Sequence, residues 1–395
     1  GMQAGATDKA MRLLVVSHSY MEAVPRRKWE ALRDLAPDIE LLLITPTFWQ
    51  ESEFWSIRSE PYCMERFEVV PMRAVLQGWV SRHAYVSPAL PGVVRRFRPD
   101  AIQVEAEPWS AVYAQMVLLR RLVAPTAKML FFTWWNTPRQ IPIPFRYAHR
   151  ACLEATDLVI AGNHGAEEIL RGHGYEGPVE VAPQLGVDTE LFRPREKNRK
   201  LMAMHGLEGA FVVGYVGRLT WRKGVDLLVE AAARVGRPDL HVVIVGDGPE
   251  REELERKAAA LGIAEHVIFT GVAGRAAIPG WLSVMDVLVL PSRREQWEQF
   301  GHVLIEAMAC GVPVIGTNSG EIPYVMGDVG QVVPMEDVAR LAEAIDHLAR
   351  DEDFHRQCRE RGLRRVESEY SHVAVAQRLA RIYRRLNIDG HHAQD

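Results

Sequence analysis

Little in this 395-residue chain points to covalent cross-linking, membrane insertion or polyanion binding. Its four cysteines, Cys63, Cys152, Cys310 and Cys358, are scattered, with no Cys-x-x-Cys pair and no histidine cluster at metal-ligand spacing. That excludes a disulfide framework and a structural zinc site, and it reads as reduced thiols in a cytosolic protein. Long apolar runs are missing too: stretches such as Leu41 to Ile44 and Met129 to Phe132 fall far below the roughly 20 residues of a membrane helix. Residues 1 to 10 are small and polar, so no secretory leader is expected, and Gly1 ahead of Met2 reads as a cloning remnant. A net charge of −4 with a pI near 6.4 makes no global case for nucleic-acid binding.

What is present is ordinary for a globular protein: 48% hydrophobic and 25% charged residues, in a chain too long for one usual core and suited to two domains. In the first half, apolar and often β-branched runs at 12–18, 39–45, 67–71, 101–105, 128–134, 158–162 and 179–183 alternate with helical patterns at 26–35, 110–122 and 166–171. The second half repeats the scheme with runs at 211–216, 241–245, 266–270, 287–290 and 312–315. Such alternation predicts an α/β architecture of two doubly wound parallel sheets in series. Ligands of such sheets sit beyond the carboxyl ends of strands. The loops to watch are therefore His18-Ser19-Tyr20, Glu105-Ala106-Glu107 and Trp134-Trp135-Asn136. The charged stretch 193–200 reads as the linker.

The most informative stretch is Pro291 to Gly316. A strand (Asp286 to Leu290) feeds a polar loop, a short apolar helix opens near Gly301, and Gly311 with Pro313 stops it. Glu298 stands in the loop and Glu306 on the apolar helix, where a carboxylate needs hydroxyl or N–H donors. Gly301-His302-Val303 offers free backbone N–H groups and a close approach for phosphate. Earlier, Gly217-Arg218-Leu219-Thr220-Trp221-Arg222-Lys223-Gly224 follows a strand: Arg218 can grip two oxygens in a fork and Lys223 adds a point charge, which suits a diphosphate. Two glutamates on a helix face and a basic loop are each common without function; their order along one sheet favours a site.

Glu298, seven residues, then Glu306, with Phe300-Gly301 after the first and Ala307-Met308-Ala309-Cys310-Gly311-Val312-Pro313 after the second, resembles the signature of the retaining family 4 glycosyltransferases. That resemblance implies the GT-B fold, two Rossmann-like domains facing a central cleft: 11–187 on the acceptor side and 188–371 for the nucleotide sugar, with helix 372–388 packing back on the first. It implies a metal-independent hexosyltransferase, without cofactor, moving a hexose from a nucleotide-diphosphate sugar to a saccharide or lipid-linked acceptor with retention. Arg218, Lys223 and Glu298 become the expected catalytic residues. Gly217, Val272, Phe300, Gly301, His302, Val303 and Glu306 become the expected donor contacts, with Glu306 on the ribose and Val272 at the base. Val245-Gly246-Asp247-Gly248-Pro249 also matches, though it is a good turn anywhere.

The first half departs from the family. Ser19-Tyr20-Met21 stands where a Gly-Gly is usual, Thr133-Trp134-Trp135-Asn136 where a His is usual, and Gln184 where Asn is usual; Trp134, Trp135 and Asn136 are the candidates to replace the missing His, and Trp134 and Trp135 either stack on a sugar or simply pack. Two alternatives stay open, a catalytically impaired nucleotide-sugar-binding protein and a sugar-nucleotide epimerase of the same fold. Localisation is expected in the cytoplasm. Basic residues at 26–28 and 95–98 suggest contact with the inner face of an anionic membrane, against the plainer reading of solvated helix faces.

Overall fold

The computed structural model describes residues 10–50, 56–78, 81–293 and 298–391. The chain forms two compact units, one of residues 1–186 with 372–395, the other Val187–Ser371. In the first, the strands are β1 (Met11–Val16), β2 (Ile39–Pro46), β3 (Tyr62–Met64), β4 (Phe67–Met72), β5 (Ala101–Val104), β6 (Lys128–Thr133), β7 (Leu158–Ala161) and β8 (Val179–Val181). They make one sheet in the order β8-β7-β6-β5-β1-β2-β4-β3, parallel except for the β3/β4 pair. Both faces are covered, as the near-continuous apolar strands require. Leu14 and Val16 enter one core while Leu13 and Val15 enter the other, the period-two alternation of a strand. Helices α1 (Ala23–Leu35), α2 (Ala111–Val123) and α3 (Ile143–Glu154) lie in this unit; Ser110 caps α2 by accepting from the Tyr113 N–H.

The C-terminal helix His372–His391 belongs to the first unit as well. Its Val375, Leu379, Ile382 and Tyr383 share a core with Trp29 and Leu32 of α1. Beneath it lies a buried polar network: the Tyr383 hydroxyl donates to Gln103 Oε1 at 2.6 Å, Gln103 to Glu105 at 3.1 Å, and Lys28 Nζ to the Gln184 carbonyl at 2.5 Å, with Glu105 at 3.4 Å. Lys28 is 1% exposed, and the Arg26 guanidinium bonds the Tyr20 and Met21 carbonyls. The expectation that residues 26–28 form a solvated or membrane-facing patch fails here. Two of the three charges pack inward, where the network satisfies them.

In the second unit, β9 (Phe211–Val216), β10 (Leu240–Val245), β11 (Val267–Gly271), β12 (Val287–Leu290), β13 (Val314–Thr317) and β14 (Gln331–Val333) are all parallel, in the order β11-β10-β9-β12-β13-β14. Strand order reverses between β9 and β12, where Val213 pairs with Val287. This is the topological switch point, the place where open parallel sheets bind ligands at their carboxyl edge. Stretch 193–200 is no linker but part of this unit: Lys197 Nζ meets Asp286 at 2.7 Å and Asn198 caps a short helix.

Candidate functional site

The loops that leave β9 and β12 meet at that switch point. After β9 comes 217–224, then α4 (Val225–Val235); after β12 comes the loop that ends in α5 (His302–Ala309). Gly224 has φ of +66°, and a Cβ there would lie 2.1 Å from the Pro291 carbonyl oxygen, so only glycine lets the first loop press against the second. Tyr215 donates its hydroxyl to the Arg218 carbonyl at 2.9 Å, and the Arg293 N–H bonds the Arg222 carbonyl at 2.8 Å.

Lys223 and Glu298, 75 positions apart, are brought together: Nζ lies 2.6 Å from Oε2. Ser292 Oγ donates to the same oxygen at 2.9 Å, and Oε1 accepts no hydrogen bond from the described residues. The Glu298 backbone is held on both sides, its N–H reaching Ser319 Oγ at 3.4 Å and its carbonyl accepting from Glu321 at 2.9 Å. A carboxylate with one committed and one open oxygen can grip a hydroxyl, while the ammonium has donors left for an anion. Arg218 is exposed at the same strand edge, with no side-chain hydrogen bond or ion pair among the described residues.

Helix α5 starts at Gly301, whose φ of +82° suits glycine. Phe300 is buried with its ring against His302 and Tyr370. His302 keeps solvent access as a residue, yet protein crowding about its ring and the Arg275 charge push the imidazole down to about 4, against the pull of Glu298. Val303 is half-buried in the first turn. Glu306, one turn on, meets Arg275 at 3.1 Å. Burial raises its carboxyl above the ordinary range and Arg275 opposes that. Gly217 follows β9 at the same edge, and Val272 follows β11 at 81% exposure.

Three residues that hold this arrangement escaped the sequence reading. Arg293, 7% exposed, forks onto Asp226 with two 2.7 Å bonds, bonds the Trp221 carbonyl at 2.7 Å and stacks over the Trp221 ring. It thereby staples the loop after β12 to the loop after β9. Burial alone would raise the Asp226 carboxyl, but the Arg293 fork and the Lys257 charge hold it below the usual range. Arg275 is the third. The partners are 67 and 31 positions apart, so no local pattern could announce them; a buried-side arginine next to a strand end, as at Pro291-Ser292-Arg293, is the only trace.

In the first unit, Glu107 follows β5 and accepts from Thr133 Oγ1 at 2.5 Å. Burial pushes its carboxyl up to about 7, against the Thr133 bond and the Arg139 charge. Trp134 donates its indole N–H to Gln184 Oε1 at 2.6 Å and packs on Phe132. Trp135 donates to the Thr137 carbonyl at 2.5 Å and abuts Trp109, and Asn136 is buried. Among the described residues no group of acidic, histidine and cysteine side chains could hold a metal. The chain's Asp351-Glu352-Asp353 serves a helix end, Asp351 accepting from the Phe354 N–H at 2.8 Å.

Two Rossmann-like units, the second with a glycine-bearing loop and a paired lysine and glutamate at its switch point, define a protein of the GT-B class. Solved structures agree on the fold: a glycosyltransferase from Rickettsia africae superposes with a TM-score of 0.70 over 95% of this chain and 98% of that one at 17% identity. Sucrose-phosphate synthase from Thermosynechococcus elongatus gives 0.68 over 96% and 100% at 21% identity. Residues 198–365 match the family described as glycosyl transferases group 1. The GDP-mannose-dependent alpha-(1-6)-phosphatidylinositol monomannoside mannosyltransferase of Mycobacterium tuberculosis (strain CDC 1551 / Oshkosh) is 33% identical over 258 residues, 62% of this chain and 67% of that protein. Its namesake in Mycolicibacterium smegmatis is 38% identical over 53% of this chain and 57% of that protein, and alpha-D-kanosaminyltransferase of Streptomyces kanamyceticus 33% over 51% of each. The chain thus spans little more than half the length of the last two. It belongs to the group 1 glycosyl transferases.

Proposed function

We propose that the chain is a retaining hexosyltransferase that takes a hexose from a nucleotide-diphosphate sugar and gives it to a saccharide or lipid-linked acceptor, without a metal or cofactor. The observation that carries this reading is the Lys223 to Glu298 contact of 2.6 Å at the switch point of the second sheet. Breaking the bond from sugar C1 to the diphosphate oxygen builds negative charge on the leaving phosphate and positive charge on the ring. Arg218, Lys223 and the N-terminus of α5 face the first with preorganised positive charge. Glu298 sets the sugar's orientation through its hydroxyls, and Glu306 accepts from the ribose. The acceptor oxygen bonds C1 as the phosphate leaves, and its proton passes to the leaving phosphate.

The relatives' names include a GDP-mannose-dependent enzyme, so GDP-mannose is the first donor to test, beside UDP and ADP sugars. We take the cytoplasm as the site of activity. No helix among the described residues is long and apolar enough to cross a membrane, and Arg95, Arg96 and Arg98 are exposed and available to an anionic inner leaflet. Donor hydrolysis or transfer should disappear in Glu298→Ala and Arg218→Ala while the melting transition is kept. Donor binding by the native chain without any turnover, across the whole donor panel, would favour the impaired-binder reading instead.

A further inference from the structure

A cavity of about 550 Å³ lies in the first unit between the start of α2 and α3, inside the roughly 300–1,000 Å³ that small-molecule clefts span. Its walls are apolar, with Leu76, Ala114, Ile141, Phe145 and Ala148 among them, and its charged described residues are Arg82 and Arg139, with no carboxylate among the described lining. Arg139 is exposed, its guanidinium 5.2 Å from the Trp109 ring centre and 5.1 Å from that of Trp135. His149, from α3, also lines the cavity. It is 7% exposed; the Pro108 carbonyl approaches its ring, and at least one ring nitrogen is left without a hydrogen-bond partner among the described residues. Buried polar atoms are seldom left so, and each such group calls for an explanation.

We propose that this cavity binds a long-chain aliphatic phosphate, the chain lying against the apolar wall, the phosphate on Arg139, and an otherwise unpartnered His149 nitrogen hydrogen-bonded to a headgroup oxygen. A free sugar does not fit, because it would bring many hydroxyls to a wall with few donors or acceptors. A plain inorganic anion would leave the apolar surface wet. The Arg139 guanidinium, stacked on two indoles and weakly hydrated, is suited to a phosphate fork. The inference deepens the proposed function by naming the anchor of the acceptor, but its test needs no turnover, so failure of one leaves the other standing.

Calorimetric titration of the full chain with octyl, decyl and dodecyl phosphate, kept below their micelle concentrations, decides it. Saturable binding is expected, with affinity rising about fourfold per methylene that enters the cavity. Dodecanol and inorganic phosphate should each bind about tenfold or more weakly than dodecyl phosphate. Ala114→Trp, at an exposed position of α2 that lines the cavity, should abolish the dependence on chain length without moving the thermal midpoint. Arg139→Gln should bring dodecyl phosphate down to the level of dodecanol. The proposal is overturned by absence of saturable binding, by dodecanol or inorganic phosphate binding as well as the amphiphile, or by unchanged chain-length dependence in a folded Ala114→Trp. The native chain with its alcohol and phosphate controls decides the matter even if a variant does not fold.

Discussion

Replacing Arg293 by alanine should unfasten the two loops on which the proposed reaction depends. The side chain is almost wholly buried, and its removal leaves Asp226 without its fork and the Trp221 carbonyl without its donor. Breaking a fully buried pair from one side costs about 3–5 kcal/mol. Asp226 keeps 20% of its side-chain exposure and has Lys257 at 3.6 Å, so about 2–3 kcal/mol is the better figure. For a domain of this size that lowers the melting midpoint by roughly 5–10 °C. Lys223 sits at the end of the loop that Arg293 pins, and displacing a positioning loop by even about 1 Å can cost on the order of 100-fold in rate. The assay is a thermal melt with transfer kinetics on Arg293→Ala, Arg293→Lys and Asp226→Asn. Lysine keeps the charge and loses the fork, so it should fall between alanine and the native residue. The double variant should show a coupling of about 2 kcal/mol. If Arg293→Ala melts within about 1 °C of the native chain with unchanged kcat/KM, the staple is not what holds the loops.

Two further outcomes follow from the first unit. Lys28→Ala leaves the buried Glu105 without its cation, though Tyr20, Gln103 and Gln184 still donate to it, and should cost about 3 kcal/mol in urea unfolding; Lys28→Met, which fills the same volume, should cost no less, because the carboxylate stays. Glu107, with its carboxyl raised to about 7, binds its proton more tightly folded than unfolded. It therefore favours the fold at low pH, and that contribution is lost as pH rises from the ordinary carboxylate range towards 7. Glu107 keeps partial solvent access, so the loss is on the order of 2 kcal/mol, and Glu107→Gln should show a flatter melting profile between about pH 5 and pH 8.

The strands other than the short edge strands β3 and β14 were legible because both faces of a parallel sheet are buried, which makes runs such as Leu13 to Val16 and Val213 to Val216 almost uniformly apolar. The short pairs Phe48–Gln50 with Ser56–Arg58 and Ala74–Val75 with Ala84–Tyr85 were not, since strands of two or three residues carry no period. Glycines and charges at strand ends exposed the loops of the site. Arg275 and Arg293 stayed hidden, because a charge earns its meaning from a partner far away in sequence. Lys28 misled for the same reason: within Arg26-Arg27-Lys28 it resembles a solvated patch until Glu105 and the Gln184 carbonyl are seen around it. In the domain expected to hold the acceptor, Asn136 is buried and Trp134 is tied to Gln184, so the departures there changed packing as much as chemistry.

The central claim is a division of labour, with cations on the diphosphate and Glu298 on the sugar, and calorimetry with a nucleoside diphosphate and its matching nucleotide sugar tests it most directly. Lys223→Ala should weaken both ligands by about 10–100-fold, the worth of a charge-assisted bond. Glu298→Gln should weaken the nucleotide sugar by about tenfold or more and leave the bare diphosphate within about twofold. Equal losses for both ligands in Glu298→Gln, or none in Lys223→Ala, would contradict the account.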